Sequence, residues 1–221
     1  MPAPAAKGNL AAASRVGRGA WQKDVSDLSD PFEDAETTVE KVDVAVTEAV
    51  AEQAGRPWVK VLGQLSEVAD QPPMRVLTLG TAAVGLALRD PRLTRAGLRM
   101  FAAHTLATWT KTAIKRRVDR TRPDVALEDR YRMERGGSQE HGLSSFPSGH
   151  TAGALAVTQA LARDYPGSRA AGFAFSAWAG AMQVPRCKHF VSDIAAGALV
   201  GWAAEAISSR LFDRAERALA G

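Results

Sequence analysis

Hydrophobic positions along the chain fall into two regimes. From Val39, apolar residues recur as Val39, Val42, Val46 and Val50, the spacing of an amphipathic helix. Gly55-Arg56-Pro57 ends that helix, and a second, PWVKVLGQLSEVA, follows from Pro57. Pro72-Pro73 reads as a break. Beyond it come five apolar stretches, 74–88, 97–114, 149–163, 170–185 and 193–208, rich in Ala, Gly, Leu and Val. Small residues at that density let helices approach closely. No alternation of period two is visible. The pattern therefore predicts an all-α fold: a helical bundle over 73–215 with about five core apolar helices, one or two N-terminal amphipathic helices over 37–72, and a flexible, disordered tail over 1–36.

Length sharpens this only partly. A membrane-spanning helix needs about 20 mostly apolar residues. Within these five stretches the longest charge-free run, Ala170 to Pro185, has 16. Buried helices of a soluble bundle and short spans with snorkelling ends both fit. The N-terminal tail has bases but no continuous apolar segment, which argues against a signal peptide.

Charge is distributed unevenly. Residues 24–52 hold ten acids and one base, whereas 89–135 hold thirteen bases and six acids. The basic region is the candidate for an anionic partner. The single cysteine, Cys187, excludes a disulfide framework.

By helix parity, three polar segments share one end of the bundle. The first is KRRVDRTRPD, 115–124, in which Lys115 and Arg122 stand seven apart, two helical turns, on what could be one face. Pro123 is expected to stop that helix at Arg122. The second is SSFPSGHTAG, 144–153. Ser148 is a preferred N-cap, Gly149 lets a ligand approach the backbone, and a helix start attracts anions. His150 falls in the first turn. The third is MQVPRCKHFVSDIAAG, 182–197, where His189 and Asp193 are four apart and can hydrogen-bond. A carboxylate on one imidazole nitrogen makes the other a better nucleophile. Alone, each segment also reads as an ordinary basic helix end, capped helix or surface pair. Together they hold the parts for phosphoryl transfer through a phosphohistidine. His104 and His141 read as a core and a loop histidine. The 124–146 loop has the length of a lid or a disordered segment.

The order K-x6-R-P, P-S-G-H, H-x3-D resembles the type 2 phosphatidic acid phosphatase family, which includes vanadium haloperoxidases. The matching residues are Lys115, Arg122 and Pro123; Pro147, Ser148, Gly149 and His150; and His189 and Asp193. The resemblance implies that His189 attacks phosphorus, Asp193 orients it and His150 protonates the leaving oxygen. It implies that Lys115, Arg122, Ser148 and the Gly149 amide hold phosphate oxygens, with no metal or other cofactor. The family's arginine six residues before the nucleophile is Gln183 here, and Arg186 is the expected replacement. The implied partner is a lipid phosphate, or another phosphate ester, at a membrane; nucleic acid is not expected. The implied activity is a phosphatase cleaving a phosphate monoester or diphosphate. A vanadate-dependent haloperoxidase and an inactive anion-binding membrane protein are the alternatives. The resemblance also implies the inner or plasma membrane of a bacterium, with the site facing away from the cytoplasm. Arg89, Arg92, Arg95, Arg163, Arg169, Arg210, Arg214 and Arg217 then mark the cytoplasmic end.

Overall fold

The computed structural model describes residues 32–138 and 140–220; most of the tail expected over 1–36 lies outside them. The helices are α1 (Thr38–Ala51), α2 (Pro57–Ser66), α3 (Gln71–Leu88), α4 (Pro91–Lys115), α5 (Pro123–Ala126), α6 (Gly149–Asp164), α7 (Arg169–Ala181) and α8 (Val191–Ala220). A small antiparallel pair, β1 (Val118–Arg120) and β2 (Met133–Arg135), joins Asp119 to Glu134 in register. The expected all-α bundle is what forms. Three-residue strands are too short to leave an alternation in the sequence.

Local chemistry explains most boundaries. Thr37 and Glu40 form a reciprocal capping box that starts α1. Pro72 and Pro73 do not break the chain; they occupy the first turn of α3, where a missing N–H costs nothing. Arg89, with φ of 56°, ends α3 in the left-handed region. The next residue, Asp90, caps α4 by accepting from the amides of Arg92 and Leu93 at 2.9 and 3.0 Å.

The core is thin-walled and built from small residues. Helix α4 packs on α3, α6 and α8, and α6 packs on α7 and α8. Ala103, Ala107, Ala154, Ala156, Val157 and Ala160 fill the centre around Met74 and Met100. Gly97 shows why the residues must be small, because a methyl group there would lie 2.3 Å from the backbone nitrogen of Ala82. A second cluster, Phe32, Ala126, Tyr131 and Phe190, anchors the 124–146 segment, with Tyr131 and Phe190 stacked edge-on at 5.6 Å. That segment is folded against the bundle rather than hanging as an open loop.

Charged residues concentrate at the two ends of the bundle. At the end away from the polar segments, the buried Asp164 carboxylate accepts from Arg95 Nε at 2.7 Å and Arg99 Nε at 3.1 Å. Arg163 Nε donates to the buried Glu205 at 2.8 Å. Between the ends, large apolar side chains face outward on several helices: Val76, Leu79, Leu86 and Leu88 on α3, Trp109 on α4, Phe173 on α7, and Leu199, Trp202 and Leu211 on α8. Among the described residues, one helix is long and apolar enough over Val191–Leu219 to cross a membrane by length and composition.

Candidate active site

The three polar segments are stitched together by their backbones. Ser145 N donates to Arg120 O at 3.1 Å, Asp124 N to Cys187 O at 2.9 Å, and Ser148 N to Asp193 O at 3.0 Å. Each bond joins a different pair of segments, so sequence-distant residues are fixed to one frame. The frame encloses a cavity of about 320 Å³ lined by Lys111, Lys115, Arg122, Gly149, His150, Gln183, Arg186 and His189, with Glu67, Asp70, His141, Ser144 and Lys188 around them.

The first segment departs from the expected continuous helix. Helix α4 stops at Lys115, Arg116 caps it, and the chain crosses as strand β1 before Pro123 opens α5. Lys115 and Arg122 therefore do not share a helical face. They meet because the strand carries Arg122 back over the cavity. Lys115 Nζ donates to Ser144 O, and Arg122 Nε donates to His141 O at 2.9 Å.

The second segment folds as expected. Ser148 is the N-cap of α6, and its Oγ accepts from Thr151 N at 3.5 Å and Thr151 Oγ1 at 3.1 Å. Ser148 is fully buried behind the wall, while Gly149 and His150 line the cavity. His150 Nε2 lies 3.4 Å from Glu67 Oε2.

In the third segment, α7 ends at Ala181, before Pro185, and a turn runs to His189. The Gln183 carbonyl holds that turn, accepting from Lys188 N at 3.0 Å. Asp193 begins α8 by taking the Phe190 amide at 2.8 Å, the reach-back of an N3 carboxylate. His189 sits on this turn rather than on the helix. Its Nδ1 is 3.8 Å from Asp193 Oδ2, an ion-pair distance but longer than a hydrogen bond. No other group bonds this buried nitrogen among the described residues. Burial pushes the His189 imidazole down to about 4, against the opposing pull of Asp193. At neutral pH the ring is therefore uncharged.

Asp193 is held by several donors. Its Oδ2 accepts from Ser145 Oγ at 2.6 Å, and its Oδ1 accepts from Arg120 Nη1 at 2.6 Å. Arg120 is itself buried and also bonds Asp43 Oδ2 on α1 at 2.8 Å and Ser192 Oγ at 2.7 Å. Its guanidinium stacks 4.3 Å over the Phe190 ring.

Arg186 reaches the cavity wall, where Glu67 Oε1 holds its Nη1 at 2.5 Å and Ser66 Oγ accepts from the same nitrogen at 3.2 Å. Gln183 is buried and turns its Nε2 to Ala179 O at 3.1 Å and Ser66 Oγ at 3.3 Å. Among the described residues, no three His, Cys, Asp or Glu side chains converge as metal ligands.

Sequence reasoning missed Arg120, Lys111, Ser145, Glu67 and Asp43. Arg120 lay inside the first segment, and Lys111 stands one turn before Lys115 on the same helix, so both left a signal. Asp43 and Glu67 left none, because only the tertiary fold brings the N-terminal helices to this end.

The pattern that defines the PAP2 superfamily matches residues 96–217. Comparison with curated proteins gave no match. Among solved structures, Aquifex aeolicus LpxE superposes with a TM-score of 0.58 at 19% identity, covering 76% of this chain and 95% of its own. A transmembrane PAP2 type phosphatidylglycerolphosphate phosphatase from Bacillus subtilis superposes with a TM-score of 0.63 at 19% identity, covering 81% and 88%. At that identity the likeness is one of fold. The family pattern spans over half of the chain, including all three cavity-forming segments, and on that ground the chain belongs to the PAP2 superfamily.

Proposed function

We propose that this protein is a metal-independent phosphatase that cleaves a phosphate ester, that of a lipid above all, through a phosphohistidine on His189. The observation that carries this reading is a neutral histidine backed by a buried carboxylate on the wall of a cavity lined by Lys115, Arg122 and a helix start. Its Nδ1 faces Asp193, which leaves Nε2 for phosphorus.

In the first step Nε2 forms the N–P bond while the bond from phosphorus to the leaving oxygen breaks. Asp193 draws closer to Nδ1 as positive charge develops on the ring, an ordinary tightening from a ligand-free geometry. His150 gives its proton to the leaving oxygen. In the second step His150 accepts a proton from water, the water oxygen bonds to phosphorus, and the N–P bond breaks. Lys115, Arg122 and the α6 amides neutralise the equatorial oxygens through both steps. Arg186 stands at the rim, ion-paired with Glu67.

A membrane setting is supported by the outward apolar side chains. Leu88, Val76 and Trp109 are 69%, 73% and 67% exposed. Such side chains recur on α3, α4, α7 and α8, and apolar residues exposed on neighbouring helices fit a lipid-facing surface. At about 1.5 Å per residue, the 18 residues of α3 cover about 27 Å, close to a hydrocarbon core. The cavity then opens at one membrane surface. Arg89, Arg169, Arg210, Arg214 and Arg217 mark the other as cytoplasmic.

The test is hydrolysis of p-nitrophenyl phosphate and a lipid phosphate in excess EDTA, with vanadate as inhibitor. Vanadate takes the trigonal-bipyramidal shape that the site should bind tightly. Turnover that vanishes with EDTA and returns with a divalent cation would overturn the metal-free reading.

A further inference from the structure

We propose that Lys111 is a further phosphate-holding residue of this site and supplies the positive charge that Gln183 does not. The inference rests on the phosphatase reading above.

Lys111 lines the same cavity as His150 and His189. Its amine is packed against the start of α6: a methyl group on Gly149 would lie 2.7 Å from Lys111 Nζ. That is where free backbone amides and the positive end of the helix already favour an anion. Among the described residues Lys111 makes neither a hydrogen bond nor an ion pair, and Asp70 acts on it only at longer range. The other cations of the cavity differ. Lys115 and Arg122 donate to backbone oxygens, Arg186 is held by Glu67, and Lys188 by Asp124 at 2.5 Å.

Lys111 and Lys115 stand one helical turn apart on α4, and like charges so placed repel. Two half-buried ammonium groups held together beside Arg122 favour an anion between them. A tetrahedral phosphate against the α6 start meets all of these groups at once. Gln183 brings no charge and spends its amide on Ala179 and Ser66. Arg186 arrives already neutralised, which leaves Lys111, among the described residues of the cavity, as the cation free to meet a phosphoryl oxygen. It lies outside the sequence motif, four residues before the first motif lysine.

The experiment uses the full chain in detergent and compares wild type with Lys111→Met, Lys111→Arg, Gly149→Ala and the exposed Lys41→Met. The readouts are kcat/KM on p-nitrophenyl phosphate, the inhibition constant of orthovanadate, and the melting temperature with and without vanadate. Lys111→Met should lose about 10²–10³-fold in kcat/KM, the scale of one preorganised transition-state donor. Its vanadate inhibition should weaken in parallel and its vanadate-free melting temperature should hold. Lys111→Arg should recover part of both losses, Gly149→Ala should lose activity by displacing the amine, and Lys41→Met should match wild type. Activity and vanadate inhibition of Lys111→Met within threefold of wild type, on an active wild-type enzyme, overturn this inference alone. If Lys111→Met unfolds, a folded Lys111→Arg no better than Gly149→Ala overturns it equally. A wild type with neither turnover nor vanadate protection overturns the phosphatase reading as well.

Discussion

Arg120 Nη1 and Asp193 Oδ1 lie 2.6 Å apart with both side chains removed from water. Asp43 closes the other side of the guanidinium at 2.8 Å, so one arginine joins the N-terminal helix to the carboxylate behind His189. Cutting one partner from a buried pair leaves an uncompensated charge, at a cost of about 3–5 kcal/mol. Arg120→Met should therefore lower the melting temperature and abolish turnover. Asp43→Asn should lower kcat with little change in KM, because Asp43 touches Arg120 and Ser192 but no cavity wall. Equal kcat in Asp43→Asn and wild type would show that α1 does not position the site.

The two histidines should separate by leaving group. His189→Ala should abolish turnover of every substrate. His150→Ala should harm alkyl phosphates far more than p-nitrophenyl phosphate, since a good leaving group needs little protonation and general acid catalysis is worth about 10²–10⁴-fold. Equal losses on both substrates contradict the role of His150.

On the proposed mechanism the acidity of His189 should set the low-pH limb. Its pKa is pushed down to about 4 by burial, so the nucleophile stays neutral until the pH falls through that value. Measured on a substrate whose own ionisation is corrected for, log kcat/KM should bend near pH 4. A bend near the ordinary histidine value, about 6.5, would mean that His189 is solvated in the working enzyme.

Glu67 and Arg186 should act with opposite signs on anion affinity. Glu67 places one oxygen on Arg186 at 2.5 Å and the other 3.4 Å from His150. Glu67→Gln should tighten inhibition by inorganic phosphate and Arg186→Ala should weaken it, each by about two- to fivefold, the scale of a partly exposed pair. Shifts of the same sign would remove Arg186 from the phosphate site.

Much of the candidate site was legible in the sequence because its residues sit at short, fixed spacings. Ser148, Gly149 and His150 are consecutive at a helix start, and the Asp193 carboxylate that caps α8 lies four residues past His189. The bundle was legible because helical runs of small apolar residues are long. Tertiary features were less so. Lys115 and Arg122 looked like one helical face, yet a three-residue strand, paired with β2 and bonded to Ser145, turns the chain between them. Pro72-Pro73 looked like a break because a proline pair reads the same at the end of one helix as in the first turn of the next. The roles of Asp43 and Glu67 depend on contacts 77 and 83 residues away in the chain, which no local pattern encodes. At the far end, Arg95 and Arg163 looked like orientation signals but serve as ion-pair partners of Asp164 and Glu205.

The central claim is a covalent phosphoryl group on His189, and rapid-quench labelling tests it most directly. Wild-type protein mixed with a ³²P-labelled phosphate ester and quenched in alkali should carry acid-labile, alkali-stable label, localised by mass spectrometry to His189. The label should form before product, decay with turnover and be absent from His189→Ala. An active enzyme that never carries label on His189, or carries it on another residue, contradicts the account.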